Sequence, residues 1–591
     1  MKKVKKICIV IFTIMLSVSM SFPANADIIS SSKVASTVDP QLQAILQKTS
    51  SSTKIPVDIW LYETSSKQTR ETKIYSEIGI NKAQLLTSAR NFVTSKKVDE
   101  YIITERTMYT NERAEQYTQF SWDYPDIQGL NKTIKSNTRL FYSKYAPVIR
   151  AELTTDEIEL LARDSRVQSI YYSPDISLEP ESESSFLTTN AEYTRDVSGC
   201  TGNGIKIGLI EVNGFPDKNK SFLINSNIIY DPDIDEVFSN HATQVAAIMV
   251  AQAETVSGIT YEGIVPDATL YATYYDGGTS DWRMKVEWLL DQGVHVINMS
   301  AGNTTAPSNT YSTREKWLDH VAIDHCVHFV QAAGNTGDSI ARPGMAYNVL
   351  TIGALDDKNT DTLGDDDIAV FSSYTESTGL TNKPDLVAPG VNITTAAGSA
   401  SGTSYAAPIA TAVVAQLCEA QLYLKAFPER VKAILTASIT HSQHTYTNSD
   451  AEYDQFGAGV IDAKAAFNTA VNGRFYNTDF RANSVANTQK SYSFTVSAPT
   501  HVRVSLSWLM ESSLSGNHAN AGVGTHPLAD LTLYIYGPDG EQIGDWHADN
   551  QNTQIADFIA SEAGTYRMVV KLNETTTTFV AAALAWYFYD T

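Results

Sequence analysis

Three textures of apolar and polar positions follow one another along the 591 residues. The first is mixed. KIPVDIWLYE (54–63) reads as a strand, and residues 80–120 are polar and tolerant of helix. ELTTDEIELLARDSRVQSIYY (152–172) supplies a helix, capped by Thr154 or Thr155, followed by a strand. An α+β unit is expected, ending in SPDISLEPESESS (173–185). That stretch has the composition of an exposed linker, where a processing cut is tolerated.

From about 186 to 472 short apolar runs alternate with helical stretches. Predicted strands are IKIGLI (205–210), ATLYATYY (268–275), HVINMS (295–300), CVHFVQAA (326–333) and VLTIGAL (349–355), with helices at 281–292, 311–325 and 403–421. Continuous apolar strands separated by helices predict an α/β domain with a parallel sheet covered on both faces. Asn298 stands out in an otherwise apolar strand. In such sheets sites gather at the carboxyl ends of strands, and IKIGLIEVNG delivers an acid, Glu211, to one of them. From 474 to 591 the alternation has period two. SYSFTVS, HVRVSLSW (501–508), LTLYIYGPDGE (531–541) and GTYRMVVKL (564–572), with a Pro-Asp-Gly turn, predict an all-β sandwich.

Composition narrows the function. A formal charge of −22 disfavours a nucleic-acid partner, since phosphate binding needs a basic face. The N-terminus joins Lys2, Lys3, Lys5 and Lys6 to the apolar run ICIVIFTIMLSVSMSF and the A-x-A site Ala24-Asn25-Ala26, the pattern of a secretory signal over residues 1–26. Export to the extracellular space, free or at the cell surface, is expected, without a stable membrane anchor. Cys200, Cys326 and Cys418 remain after that cut; an odd number forms no complete disulfide framework, and the last two lie in apolar segments suited to buried thiols.

Three segments carry candidate chemistry. In SGTSYAAPIATAVVAQL (401–417) Ser404 stands among small residues at a helix start. There, orphan N–H groups and the helix dipole favour an alkoxide nucleophile, although an N-cap serine has the same local sequence. In SNHATQVAAIMVAQ (239–252) His241 opens an apolar helix, and no second His or Cys follows at metal-ligand spacing. In VQAAGNTGDS (330–339) Asn335 sits in a Gly-flanked loop, where its amide suits an oxyanion or simply a turn.

Together GTSYAAP, HATQVAA, AAGN (332–335), INMSAG (297–302) and KPDLVAPG (383–390) resemble the subtilisin-type serine peptidases, over roughly residues 200–470. The acid–His–Ser order of 211, 241 and 404 is that family's order. The resemblance implies Ser404 as nucleophile, His241 as general base and then acid, and Asn335 as an oxyanion donor beside the Ser404 N–H. In the family, losing that Asn donor costs about 10²–10³ in rate. It further implies Ser300, Ala301 and Gly302 along one side of the primary specificity pocket and Ala332, Ala333 and Gly334 along the other. Their small walls leave room for a medium or large apolar side chain. The upstream segment resembles an inhibitory prodomain, giving a signal at 1–26, a prodomain at 27–185, a peptidase domain at 186–472 and a β-sandwich at 474–591. Partners implied are protein or peptide substrates and the chain's own prodomain as an intramolecular inhibitor, with the activating cut between about 173 and 195.

Two departures qualify that expectation. The family's acid is normally Asp in I-D-x-G, whereas Glu211 is one methylene longer; Asp217, six residues on, is the alternative partner for His241. The usual H-G-T-H reads His241-Ala242-Thr243-Gln244 here. A secreted serine endopeptidase made as a self-processing precursor is therefore expected, against the alternative of an inactive homologue acting as an extracellular binding protein. The chemistry calls for no cofactor. The acidic cluster Asp361, Asp365, Asp366 and Asp367 is either a structural calcium site or a solvated loop, its spacing not being that of an EF-hand. His518 and His526 read as surface residues of the β-domain.

Overall fold

The computed structural model describes residues 37–589 apart from 66, 80–91, 121–122, 125–131, 134–140, 174–188, 276–281, 303–310, 359, 361–364, 376–380, 441–454, 482–487, 498, 511–528, 548–550 and 575–578. The expected signal, most of the linker after 173, Asp361, His518 and His526 lie outside the described residues. No helix among those described is long and apolar enough to cross a membrane.

The chain divides into two compact units. The smaller comprises the segments up to Tyr62, Trp122–Leu140 and Ile149–Pro174. Its strands run in the order Val148–Leu153, Ile55–Leu61, Val167–Tyr172, the last two antiparallel. Helix Thr155–Ala162 is capped by Thr154, not Thr155. The Thr154 hydroxyl accepts from the Glu157 N–H, and the Glu157 carboxylate accepts from the Thr154 N–H, a reciprocal capping box.

Within the expected prodomain of 27–185, residues 63–121 and 141–148 group with the larger unit. In α1 (Lys67–Ile78) and α2 (Phe92–Gln119), Ile74, Ile78, Val98, Tyr101 and Ile102 join the same apolar cluster as Ile205, Ile207 and Leu209. On α2 the buried positions 98, 101, 102, 105, 106, 109 and 113 follow one helical face, yet four of them are Glu105, Arg106, Tyr109 and Arg113.

The centre of this unit is a sheet built from β1 (Lys206–Val212), β2 (Ile228–Tyr230), β3 (Thr269–Tyr275), β4 (Val296–Met299), β5 (His328–Ala332), β6 (Val349–Asp356), β7 (Leu386–Pro389), β8 (Ile439–Thr440) and β9 (Val460–Ile461). Its order is β8-β9-β7-β6-β5-β4-β1-β3-β2, parallel from β9 to β2. The path leaves β1 toward β3 on one side and returns to β4 on the other. The carboxyl end of β1 is thus a topological switch point, where α/β sheets open a crevice. Covering helices are α3 (Asn240–Val250), α4 (Trp282–Asp291), α5 (Thr313–Asp324), α6 (Thr403–Ala420) and α7 (Pro428–Ala437). Helix α6 is buried from Thr403 to Cys418 and runs through the core. Cys200, Cys326 and Cys418 are buried thiols outside any disulfide among the described residues.

Residues 475–589 form two four-stranded sheets. One contains Thr500–Trp508, Thr553–Ala560 and Ala582–Tyr589; the other contains Gln489–Val496, Asp530–Tyr536 and Gly564–Glu574. Val504, Leu506, Leu533, Met568 and Leu584 fill the space between them. The outer face of the first sheet is buried as well. Ile555, Ala583, Ala585 and Tyr589 join the central apolar cluster, and Ser505 hydrogen-bonds Thr436 of α7 at 2.7 Å. Lys432 on α7 binds Asp385 Oδ1 at 2.6 Å, the Tyr347 carbonyl at 3.1 Å and Asn552 Oδ1 at 3.0 Å. Burial alone would raise the Asp385 carboxyl, but Lys383 and Lys432 outweigh it and hold the group below the usual range. Lys432→Met leaves Asp385 short of one cation and Asn552 short of a donor. Thermal unfolding should lose about 3 kcal/mol, with the β-domain and the central sheet still melting together.

Candidate active site

The strand-end acid is fixed by backbone geometry. After β1, Asn213 and Gly214 take φ of 61° and 148°, and Gly214 runs so close to Phe238 that a Cβ would lie 2.9 Å from its carbonyl carbon. The Phe215 N–H then donates to Val237 O at 2.7 Å, and the Ser239 N–H returns a bond to Phe215 O at 2.8 Å. This two-way tie fastens the segment leaving β1 to the residue that caps α3, where Ser239 Oγ accepts from the Ala242 N–H. His241, the second residue of α3, is thereby held over the end of β1. Its Nδ1 lies 2.7 Å from Glu211 Oε2, and the Glu211 side chain is fully buried. The carboxylate accepts a hydrogen bond from Nδ1–H, which leaves Nε2 with the lone pair. Nε2 and Glu211 Oε1 are both buried without a hydrogen-bond partner.

Tyr405 flanks this pair. Its ring centroid is 5.3 Å from that of His241, and its hydroxyl donates to Gln244 Oε1 at 3.1 Å. Burial, and then the nearby Glu211 charge, push its phenol well above the ordinary tyrosine range, so it remains a donor. Gln244, where the resembling family has its second histidine, thus anchors the residue next to Ser404.

Ser404 opens α6. Gly402 before it has φ 143°, a backbone open to glycine, and its N–H donates to Gly390 O at 2.8 Å. Asn298, the polar exception in β4, joins strand to helix. Thr411 of α6 donates to its Oδ1 at 2.9 Å, its Nδ2 donates to Ser300 Oγ at 2.8 Å, and Ser300 Oγ donates to the Ser404 carbonyl at 2.8 Å. Asn335, after β5, accepts from the Thr403 N–H and hydroxyl, both at 2.9 Å, through Oδ1. This fixes the amide rotamer and leaves its N–H₂ as a donor beside the start of α6.

Ser300, Ala301, Ala332 and Ala333 are buried behind the ends of β4 and β5. Gly302 and Gly334 both face Ala341, whose Cβ would lie 2.7 and 2.9 Å from a Cβ on either. Ala341 thus stands between the two small-residue segments, a neighbour that only the three-dimensional fold reveals. The segments, Glu211, His241, Asn335 and Ser404 all gather at the carboxyl end of the sheet.

Two predicted contacts differ in detail. Ser404 Oγ donates to Ser300 O at 3.0 Å and makes no hydrogen bond to His241. Asp217 does not turn toward His241: its Oδ1 accepts from the Asn219 backbone and side chain, and Lys220 stands 3.6 Å from its Oδ2. In the acidic cluster Asp365 accepts from Thr360 and Asp367 from the Ile368 N–H, while Asp366 Oδ1 is buried without a hydrogen-bond partner. Among the described residues Glu63, His320 and Asp324 are close enough to hold a metal ion, but the Arg70 guanidinium binds Asp324 and lies 3.7 Å from Glu63. The arginine already supplies the positive charge.

Known proteins resemble this chain in sequence. The family model described as the subtilase family matches residues 119–459. Serine protease AprX of Bacillus subtilis (strain 168) is 26% identical over 360 residues, covering 53% of this chain and 77% of that protein. Subtilisin Savinase of Lederbergia lenta is 29% identical over 285 residues, 45% of this chain and 92% of that protein. The structure of the prenylagaramide maturation protease PagA matches 47% of this chain and 98% of its own, at 24% identity and a TM-score of 0.38. With more than half of its residues matched by the family model, the chain belongs to the subtilase family, a family of serine proteases.

Proposed function

We propose that this protein is a secreted serine endopeptidase, made as a self-processing precursor, in which Glu211 takes the place of the family's aspartate. The observation that carries the reading is the buried 2.7 Å contact between Glu211 and His241 Nδ1. It orients the ring so that Nε2 presents its lone pair. Ser404 turns from the Ser300 carbonyl toward Nε2 and attacks the scissile carbonyl as its proton passes to His241. The Glu211 carboxylate stabilises the imidazolium that forms. Charge on the tetrahedral oxygen is met by the Asn335 amide and the Ser404 N–H at the start of α6. His241 then protonates the leaving amine, and water hydrolyses the acyl-enzyme by the reverse sequence. No step needs a metal or an organic cofactor, and calcium, if bound, serves structure.

The substrate chain runs between Ser300–Gly302 and Ala332–Gly334, with its side chain directed toward Ala341. Export rests on the N-terminal signal pattern. The α+β unit that precedes the linker is the proposed inhibitor, and the activating cut falls between about 173 and 195. Loose apo contacts between nucleophile and base are common in hydrolases and tighten with substrate, which accommodates the Ser404 rotamer seen here.

A fluorophosphonate probe should label the processed wild type and leave Ser404→Ala unlabelled, and purified Ser404→Ala should stay uncut near 173–195. An unlabelled wild type would instead favour a binding protein, and a mutant still cut in pure form would assign the cut elsewhere. Glu211→Gln should lower kcat by about 10³–10⁴ with little change in KM, while Asp217→Asn stays within about threefold of wild type. The opposite ranking, measured on a peptide substrate, would transfer the histidine partner to Asp217.

A further inference from the structure

The amino end of the central sheet is occupied as fully as the carboxyl end. Helix α2 lies there, about one strand length, roughly 15–20 Å, from the catalytic residues. Arg106 donates to three carbonyls: Leu290 at 3.0 Å in the last turn of α4, Val294 at 2.9 Å just before β4, and His325 at 3.3 Å at the end of α5. Two of the three are helix-end carbonyls, which lack intrahelical donors and attract a cation. Asp99 reaches His295 and Lys425, both at 3.2 Å, and His295 Nδ1 in turn accepts from the N–H of Lys206, the first residue of β1. Glu105 meets His325 Nδ1 at 3.0 Å, Tyr109 meets His320 at 2.6 Å, and Ser143 donates to Glu287 at 2.6 Å. Nearly all of these partners are buried, and the apolar residues of α1 and α2 belong to the central core.

An inhibitor that is shed after maturation presents a surface that water can replace. This segment does the reverse: its departure would take the Arg106 donor from the Leu290, Val294 and His325 carbonyls and open the core beneath β1, β4 and β5. We propose that residues 63–121, with 141–148, are a permanent part of the catalytic unit, so that cleavage after the α+β unit yields a two-chain enzyme. The chain leaves the α+β unit at Tyr62, passes through it again over Trp122–Leu140 and re-enters it at Ile149, so residues 63–121 and 141–148 tether that unit at each of these crossings. A cut after the α+β unit alone does not release a tethered inhibitor, whose local concentration stays high, and full activity then requires further cuts within its connections.

The inference rests on the precursor reading for its biological meaning, but its test does not depend on self-cleavage. The full chain carrying Ser404→Ala is given a site-specific protease sequence within 176–184, cut, and run on a sizing column in 1 M salt. Both fragments should co-elute in equal amounts. Introducing Arg106→Ala, or Arg106→Lys where the alanine variant fails to fold, should raise the dissociation rate of the cut pair about tenfold or more. A catalytic fragment that elutes alone and folded would overturn the proposal. So would a cut Arg106 variant that dissociates no faster than its parent, since the α+β unit would then be what holds the pair. Probe labelling of wild type is scored separately, so a failure of the catalytic reading remains distinguishable.

Discussion

The contact between Glu211 and His241 is the constraint around which the catalytic end of the sheet is arranged. A carboxylate with no solvent exposure is costly unless its charge is answered, and here a single imidazole N–H answers it. Strand β1 continues through Glu211 to Val212, and the Phe215–Val237–Ser239 tie sets how far α3 stands from the strand end. A different loop length between β1 and α3 would place the same two residues out of reach. The packing of Tyr405 against the ring and its bond to Gln244 confine the imidazole from the other side.

The same sheet explains why the chain is organised as it is. Parallel strands end together, so every loop at the carboxyl end converges on one crevice and every loop at the amino end on another surface. The first holds the candidate catalytic groups. The second presents backbone carbonyls and the side chains of His295, His320 and His325, and α2 meets them through Asp99, Glu105, Arg106 and Tyr109. The β-domain meets a third need by covering α7, with Lys432 linking Asp385 of the sheet to Asn552.

Much of this was legible in the sequence. The predicted strands at 205–210, 268–275, 295–300, 326–333 and 349–355 coincide with β1, β3, β4, β5 and β6, because buried parallel strands leave continuous apolar runs. Glu211, His241, Asn335 and Ser404 gather at one end, as their places at strand and helix termini implied. What escaped was burial of polar faces. Residues 92–119 read as polar because their inward face carries charges that bond to distant backbone. Likewise Arg503 and Ser505 alternate with Val504 and Leu506 as if facing solvent, yet Ser505 touches α7 and Arg503 binds the Ala458 carbonyl. Hydrophobic periodicity registers apolar burial and is blind to polar groups whose partners lie far along the chain. Ala341 was hidden for a similar reason, being brought to Gly302 and Gly334 only by the fold.

The claim that Glu211 holds the histidine is tested most directly by proton and nitrogen NMR of histidine-labelled protein, in a Ser404→Ala background that prevents self-digestion. His241 should show a protonated Nδ1 with a far-downfield proton and an unprotonated Nε2 at neutral pH. That proton should move sharply upfield or exchange into solvent in Glu211→Gln and stay in place in Asp217→Asn. A resonance unaffected by Glu211→Gln, or one lost in Asp217→Asn, would contradict the account.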